Sequence, residues 1–443
     1  MINIEKHLVS FLKSYLIDER PLLLACSGGK DSKALFHLLL SCQKKIKFSF
    51  HIAHLDHNFR NESHLEAVSL EKEASLLNIR FFSKRLSIKP SVNIEAVYRE
   101  ERYNFFYQLH QKNNYQAVLL AHQQDDVIET VLKRVLEGSS LATLGGIKEI
   151  SSYKGLNIYR PLLNVSTEEI LLYLKNNNID YFSDYTNKDC KYLRARMRSE
   201  ILPYLNRSFE KNINKPLYRL SLRANRLREY LDDRTSGAYQ SIVKGPFGFY
   251  FDYNNFLDMP YIELEHLIKR FANHLNLEMS FSVVESIIKK LTSLASNICI
   301  LVKGCSIYID RGFLFFVDFL PSFEMEKTSL LSGSYDFKHW GIVVKKQSVK
   351  ENAGLGWKDL WLGECSILLP YDTSYVASLP SLNDKNPLKK RWENHKIPAF
   401  LRRIVPVIYQ DNKIVSDFLT KQTKKINKHN CLLEILIKFK IKR

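Results

Sequence analysis

Two short stretches hold the residues with the most chemistry to offer. Ser27-Gly28-Gly29-Lys30-Asp31-Ser32 follows the apolar run Pro21–Cys26 and precedes Ala34, Leu35, Leu38 and Leu39 at helical spacing. A turn that joins a strand to a helix presents unpaired backbone N–H groups and the positive end of the helix dipole, and glycines let an anion come close: a phosphate cradle. The same residues also suit an ordinary tight turn with a serine cap. A Walker loop is excluded, because Asp31 follows Gly29-Lys30 and the four-residue spacer is missing. The second stretch places Asp125, Asp126 and Glu129 in the first turns of a helix. Acids there complement the dipole. Asp125 and Glu129 share a face with Asp126 beside them, more negative charge than capping requires, and such a cluster could hold Mg²⁺ or an ammonium group.

Alternating elements must position these residues. Strands are expected at Phe48–Leu55, Arg80–Leu86 and Ala117–Ala121, with helices over 66–78 and through the stretch that carries Arg99 and Arg102. This predicts an α/β domain with a doubly wound parallel sheet, which binds ligands where its strands end. His54, Asp56, His57, Asn58 and Arg60 fall at or past one such end, without the further ligands of a zinc pattern. Arg194, Arg196 and Arg198 alternate every second residue. That spacing does not align them on a helix, whereas an extended or turning segment could set them on phosphates; surface solubility is the alternative.

The second half is expected to hold helices over Leu220–Leu231 and much of Tyr261–Leu291, then a strand pair turning near Gly304 and Gly312, then short strands and a helix over Leu388–Asn394. The expected domains are 1–215, a mainly helical 216–325, and a small mixed α+β unit over 326–443. The chain of 443 residues has a net charge of +18, an excess that suits a polyanionic partner, although a Lys- and Asn-rich composition would also produce it. No apolar run is long enough to span a membrane and the start lacks a signal peptide's apolar core, so a cytoplasmic location is expected. Seven scattered cysteines without a Cys-x-x-Cys pair read as buried thiols.

Ser-Gly-Gly-x-Asp-Ser resembles the pyrophosphate loop of the ATP pyrophosphatase superfamily. With "HLDHNFR", "EAVYREERY", "AHQQDDVIET", "YRPLL" and "DYTNKDCKYLRARMRSEILP", it follows the order and approximate spacing of the tRNA(Ile)-lysidine synthetases over about the first 210 residues, and the likeness resumes in "LKKRWENHKIPAFLRRIVPVI". Lys33 stands where that family usually has Ser or Thr, Gln123 replaces a second histidine, and Thr186 and Ala195 replace the usual Ser and Asn.

The resemblance implies a ligase that uses ATP and Mg²⁺ to adenylate the wobble cytidine of tRNA(Ile) with a CAU anticodon, after which the side-chain amine of free L-lysine displaces AMP. It assigns the nucleotide to Ser27, Gly28, Gly29, Lys30, Asp31, Ser32, His54, Ala121 and His122. Catalysis falls to Asp31, Asp125, Asp126 and Glu129, and the metal to Asp31 and Asp126. Nucleic acid is assigned to Arg194, Arg196 and Arg198 and to Lys389, Lys390, Arg391, Arg402 and Arg403, with Lys421, Lys424, Lys425 and Lys428 following. A homodimer is left open. A tRNA thiolase would need a sulfur-relay or iron–sulfur cysteine pair, which the sequence lacks.

Overall fold

The computed structural model describes residues 3–56, 63–86, 94–182, 193–320, 327–337, 339–347, 356–371, 374–380, 387–421 and 432–439. His57, Asn58, Arg60, Thr186, Lys424, Lys425 and Lys428 lie outside them. The chain divides into two compact units, 1–229 and 230–443.

The first unit runs α1 (Ile4–Tyr15), β1 (Leu22–Ala25), α2 (Lys30–Gln43), β2 (Phe50–Asp56), α3 (Ser63–Leu76), β3 (Phe81–Arg85), α4 (Ile94–Asn113), β4 (Ala117–Leu119), α5 (Gln124–Leu136), β5 (Ile150–Tyr153), β6 (Leu156–Tyr159) and α6 (Thr167–Asn176). Its sheet has the order β3-β2-β1-β4-β6-β5. All neighbours are parallel except the β5–β6 hairpin. The unbroken apolar run of β1 has a two-sided cause: Leu22 and Leu24 enter a core with Leu8, Leu35 and Phe36, while Leu23 enters another with Phe106 and Val118. Strand order reverses at β1, which has β2 on one side and β4 on the other. The loops leaving β1 and β4 therefore diverge and open a crevice at the switch point.

Then come α7 (Leu193–Arg196), a π turn over Met197–Ile201, α8 (Leu202–Ser208) and α9 (Asn214–Arg234), within which the first unit ends. The arginine segment is thus helical rather than extended. The reason is apolar: Met197 and Leu202 are buried against Ile128 and Leu132 of α5.

In the second unit, α10 (Ser236–Gln240), α11 (Tyr261–His274) and α12 (Phe281–Thr292) accompany an antiparallel sheet of order β7-β8-β11-β10-β9. Its strands are β7 (Val243–Gly245), β8 (Gly248–Asp252), β9 (Ile298–Val302), β10 (Cys305–Asp310) and β11 (Phe313–Val317). The expected strand pair is three strands, because Gly304 and Gly312, with φ of +84° and +82°, each turn a hairpin. Phe271, Ile287 and Leu291 pack on Ile307 and Phe316 beneath this sheet.

Two four-stranded sheets follow, β12-β16-β17-β18 and β13-β14-β19-β15. They comprise β12 (Thr328–Leu330), β13 (Gly333–Asp336), β14 (Trp340–Gln347), β15 (Glu364–Pro370), β16 (Tyr375–Ser378), β17 (Val407–Gln410), β18 (Lys413–Asp417) and β19 (Leu432–Phe439), with helices α13 (Trp357–Trp361) and α14 (Pro387–Asn394). Trp340, Trp357, Trp361 and Trp392 share one core with Phe315 and Val317 of β11. Cys26, Cys42, Cys305 and Cys365 are free, buried thiols and Cys299 is a free, exposed one. Among the described residues no helix is long and apolar enough to cross a membrane.

Candidate active site

The loop after β1 is held open by its own hydroxyls. Ser32 Oγ donates to the Gly29 carbonyl at 3.0 Å, and the Ser27 and Ser32 hydroxyls lie 3.2 Å apart. Gly29 is the residue before α2 and offers no side-chain cap, so the first N–H groups of the helix are left for an anion. Gly28 has φ +86°, and a Cβ there would come within 2.7 Å of the Phe182 ring. The Phe182 N–H also donates to the Gly28 carbonyl at 3.0 Å. Glycine is required here both for the backbone angle and for the close approach.

The loop's charges are paired across it. Lys30 Nζ lies 2.7 Å from Asp31 Oδ1 and 3.4 Å from Thr167 Oγ1. Burial raises the Asp31 carboxyl above the ordinary aspartate value, Lys30 opposing and Asp126 adding to the rise. At the start of α5, Gln123 forms a capping box with Asp126: its side chain accepts from the Asp125 N–H at 2.7 Å, and Asp126 Oδ2 accepts from the Gln123 N–H at 2.9 Å. Gln123 Nε2 also donates to Thr167 Oγ1 at 2.9 Å. The glutamine that replaces the second histidine therefore caps α5 and ties it to α6.

Arg198, in the π turn, closes the acidic cluster. Its Nη2 donates to Asp126 Oδ1 at 2.7 Å and to Glu129 Oε2 at 3.2 Å, and its Nε donates to Glu129 Oε1. Burial raises the Glu129 carboxyl, with Arg198 pulling the other way. The Asp125 carboxylate meets no cation among the described residues.

Two cavities lie on either side of these charges. The first, about 200 Å³, fills the crevice between β1 and β4 and is lined by Ser27, Asp31, Ser32, Ala121, His122 and Asp126 among others. The second, about 270 Å³, is lined by Lys30, Asp125, Glu129, Arg198 and Asn214, with Ile128, Leu202 and Pro203 as apolar wall. Neighbouring residues face different cavities, Asp31 one and its ion-pair partner Lys30 the other, so the charged wall is common to both.

His122 in the first cavity has a buried Nδ1 with no hydrogen-bond partner among the described residues. Its pKa is pushed down to about 4 by burial, against Asp126 and with help from Arg160, Arg102 and Arg194. His54 is not brought into this cavity. Ala53 and Leu55 line it, whereas His54 points to the other face of β2, its Nδ1 donating to the Cys26 carbonyl at 2.9 Å and its ring stacked on Phe81.

Arg196 is exposed and Arg194 half-buried, while Arg198 pairs with the acids. In the second unit Lys390 and Arg403 are exposed. Arg402 is turned inward, donating from Nε and Nη2 to the Ile397 carbonyl at 3.1 and 2.7 Å, and Arg391 lies 3.6 Å from buried Asp417. Lys33 is buried in an ion pair with Glu73, which His37 Nε2 also reaches at 3.0 Å. Gln123, Thr167, Phe182 and Arg102 were not singled out for the site by sequence reasoning; the Gln123-x-x-Asp126 spacing was a readable capping signal, while the others are joined only by the fold.

A family model described as PP-loop domain matches residues 2–205. The tRNA(Ile)-lysidine synthase of Protochlamydia amoebophila (strain UWE25) is 34% identical over 427 residues, covering 95% of this chain and 93% of that one. That of Chlamydia muridarum (strain MoPn / Nigg) is 37% identical over 247 residues, covering 55% of this chain and 75% of that one. Among solved structures, the U34-tRNA thiolase NcsA from Methanococcus maripaludis aligns over 51% of this chain and 78% of its own, with a TM-score of 0.43 and 19% identity. On the near-full-length match at 34% identity, this chain belongs to the tRNA(Ile)-lysidine synthase family.

Proposed function

We propose that the chain converts the wobble cytidine of tRNA(Ile) with a CAU anticodon into lysidine, in two steps on the two sides of the charged wall. The observation that carries this reading is the pairing of an anion cradle in one cavity with carboxylates beside an apolar wall in the next. A neutral base carbonyl is a poor electrophile without a leaving group, and adenylation supplies both. The cytosine O2 would attack the α-phosphorus of ATP held in the first cavity, and the P–O bond to pyrophosphate would break. The loop from Ser27 to Ser32 is suited to hold the departing pyrophosphate on backbone N–H groups, with Lys30 adding charge.

Lysine would then enter the second cavity. Ile128, Leu202 and Pro203 suit its methylenes, and Arg198 or Lys30 its carboxylate. Asp126 and Glu129 are already engaged by Arg198, so Asp125 is the carboxylate best placed to meet the ammonium and to accept the proton the amine must lose. The amine nitrogen forms a bond to C2 of the base, the C2–O bond breaks, and AMP leaves with that oxygen.

Mg²⁺ fits this donor set. Asp31 and Asp126 line one cavity, and Asp126 disfavours the charge on Asp31, a repulsion a divalent cation would relieve. Among the described residues no three His, Cys, Asp or Glu side chains cluster as a metal site, so phosphate oxygens and water would complete the shell. When bound, the ion would neutralise charge on the triphosphate.

The test is lysine incorporation into purified isoleucine and methionine tRNAs that share the anticodon. ATP-dependent incorporation into the isoleucine tRNA alone is expected; none into either would sink the reading.

A further inference from the structure

We propose that the exposed face of α9 is a phosphate-tracking rail that leads the substrate strand to the second cavity. This rests on the reading of tRNA as substrate. Lys215, Arg219, Arg223 and Arg226 stand four, four and three residues apart, which places them on one helix face, and all four are exposed. No carboxylate among the described residues pairs with any of them, and the first acid on that face is Glu229 beyond the last arginine.

The opposite face is fixed to the catalytic unit. Ser221 Oγ donates to the Gly145 carbonyl at 2.7 Å, Tyr218 donates to Asn164 Oδ1 at 2.5 Å, and Ala224 is buried. The cations therefore project from an anchored helix rather than from a loose arm.

Their position gives the stripe a direction. α9 begins at Asn214, which lines the second cavity and whose buried Oδ1 has no hydrogen-bond partner among the described residues. From there the stripe runs outward, Arg226 lying about 18 Å along the axis at 1.5 Å per residue. A polynucleotide that delivers one base to the charged wall must run its flanking phosphates over the adjoining surface. A row of unpaired cations that starts at the cavity's edge matches that demand, and arginine forks suit phosphate oxygens. Exposed cations without acids between them also repel one another in the free protein, a cost that an RNA strand removes.

The test compares Arg219→Ala/Arg223→Ala/Arg226→Ala with the corresponding triple lysine variant in the full chain, by filter binding of tRNA(Ile) transcript across a salt series. Three lost phosphate contacts should lower the slope of log affinity against log salt by about 2–3 and weaken binding at least tenfold near 0.1 M salt, while the lysine triple keeps most of the slope. ATP binding and melting temperature should not change. If alanine lowers the melting temperature, the glutamine triple, which keeps long stems on the helix, gives the same comparison. An unchanged slope and affinity in the charge-removed triple overturns the rail. A wild-type protein that incorporates no lysine and binds no tRNA(Ile) overturns instead the reading on which the rail rests, so the two failures are distinct.

Discussion

The Arg198 guanidinium spans both carboxylate oxygens of Glu129, with Nη2 lying 3.2 Å from Oε2 and Nε on Oε1. The same Nη2 reaches Asp126. A cation whose sequence context suggested tRNA phosphate therefore neutralises two of the three acids of α5. Under the proposed lysine transfer, Asp125 is left for the incoming ammonium, and the guanidinium still borders the cavity from which a carboxylate would approach.

Two substitutions separate these roles. Asp125→Asn should raise the KM for lysine at least tenfold while ATP–pyrophosphate exchange in the presence of tRNA stays within a few-fold. Glu129→Gln should impair lysine transfer more than adenylation and loosen Arg198. Because Arg198 keeps 39% of its side-chain surface in solvent, a double-mutant cycle between the two should give a coupling of only about 1–2 kcal/mol. Loss of exchange equal to loss of transfer in Asp125→Asn would show that Asp125 serves the first step instead.

His122 gives a prediction in pH. Burial holds its pKa at about 4, below the 6.5 of a free histidine. The unfolded chain therefore binds the proton more readily between these values, so the stability the neutral ring contributes is fully present above pH 6.5 and is lost as pH falls toward 4. His122→Gln should flatten the fall in melting temperature between pH 6.5 and 4. A fall as steep as that of the wild type would mean the ring is not held neutral by its surroundings.

Lys33 tests why a charge is tolerated under the loop. It is buried at the first turn of α2, and Glu73 of α3 answers it with His37 beside. Lys33→Met should cost about 1–3 kcal/mol, less than a fully buried pair would, because Glu73 retains His37. Lys33→Met/Glu73→Leu should recover most of that loss in a denaturant titration. If the double variant is no better than the single one, the lysine stem rather than the charge pair sustains the site.

The first unit was legible because its motifs sit on strongly patterned elements. The apolar run of β1 is buried on both faces, and the acidic start of α5 is a real helix start. What the sequence could not display was direction. His54 lies between Ala53 and Leu55, and a strand's two-residue period sends it away from the crevice they line. Arg198 departs from its expected setting for a related reason: its two-residue alternation with Arg194 and Arg196 argues against a helix, yet a helix with a π turn carries all three and sets Arg198 on the acids. In the second unit Phe247 shares its core with Trp340, Trp357, Trp361 and Trp392, a long-range pairing that no local pattern encodes.

That shared core decides how tRNA contacts by the C-terminal residues should be tested. Ending the chain near Asp318 would remove Trp340, Trp357, Trp361 and Trp392 from beside Phe315 and Val317, exposing the face of β11. A truncated protein would then lose affinity through misfolding, whatever its surface does. Point changes at exposed cations avoid this. Lys390 and Arg403 face solvent, whereas Arg402 satisfies the Ile397 carbonyl and its removal would leave that acceptor unpaired. Lys390→Ala/Arg403→Ala should lower the salt slope of tRNA binding by about 1.4–1.8 if both meet phosphate, with melting temperature unchanged. Arg402→Ala should lower the melting temperature and leave the slope nearly as it was. A double variant that binds with the wild-type slope would remove Lys390 and Arg403 from the interface.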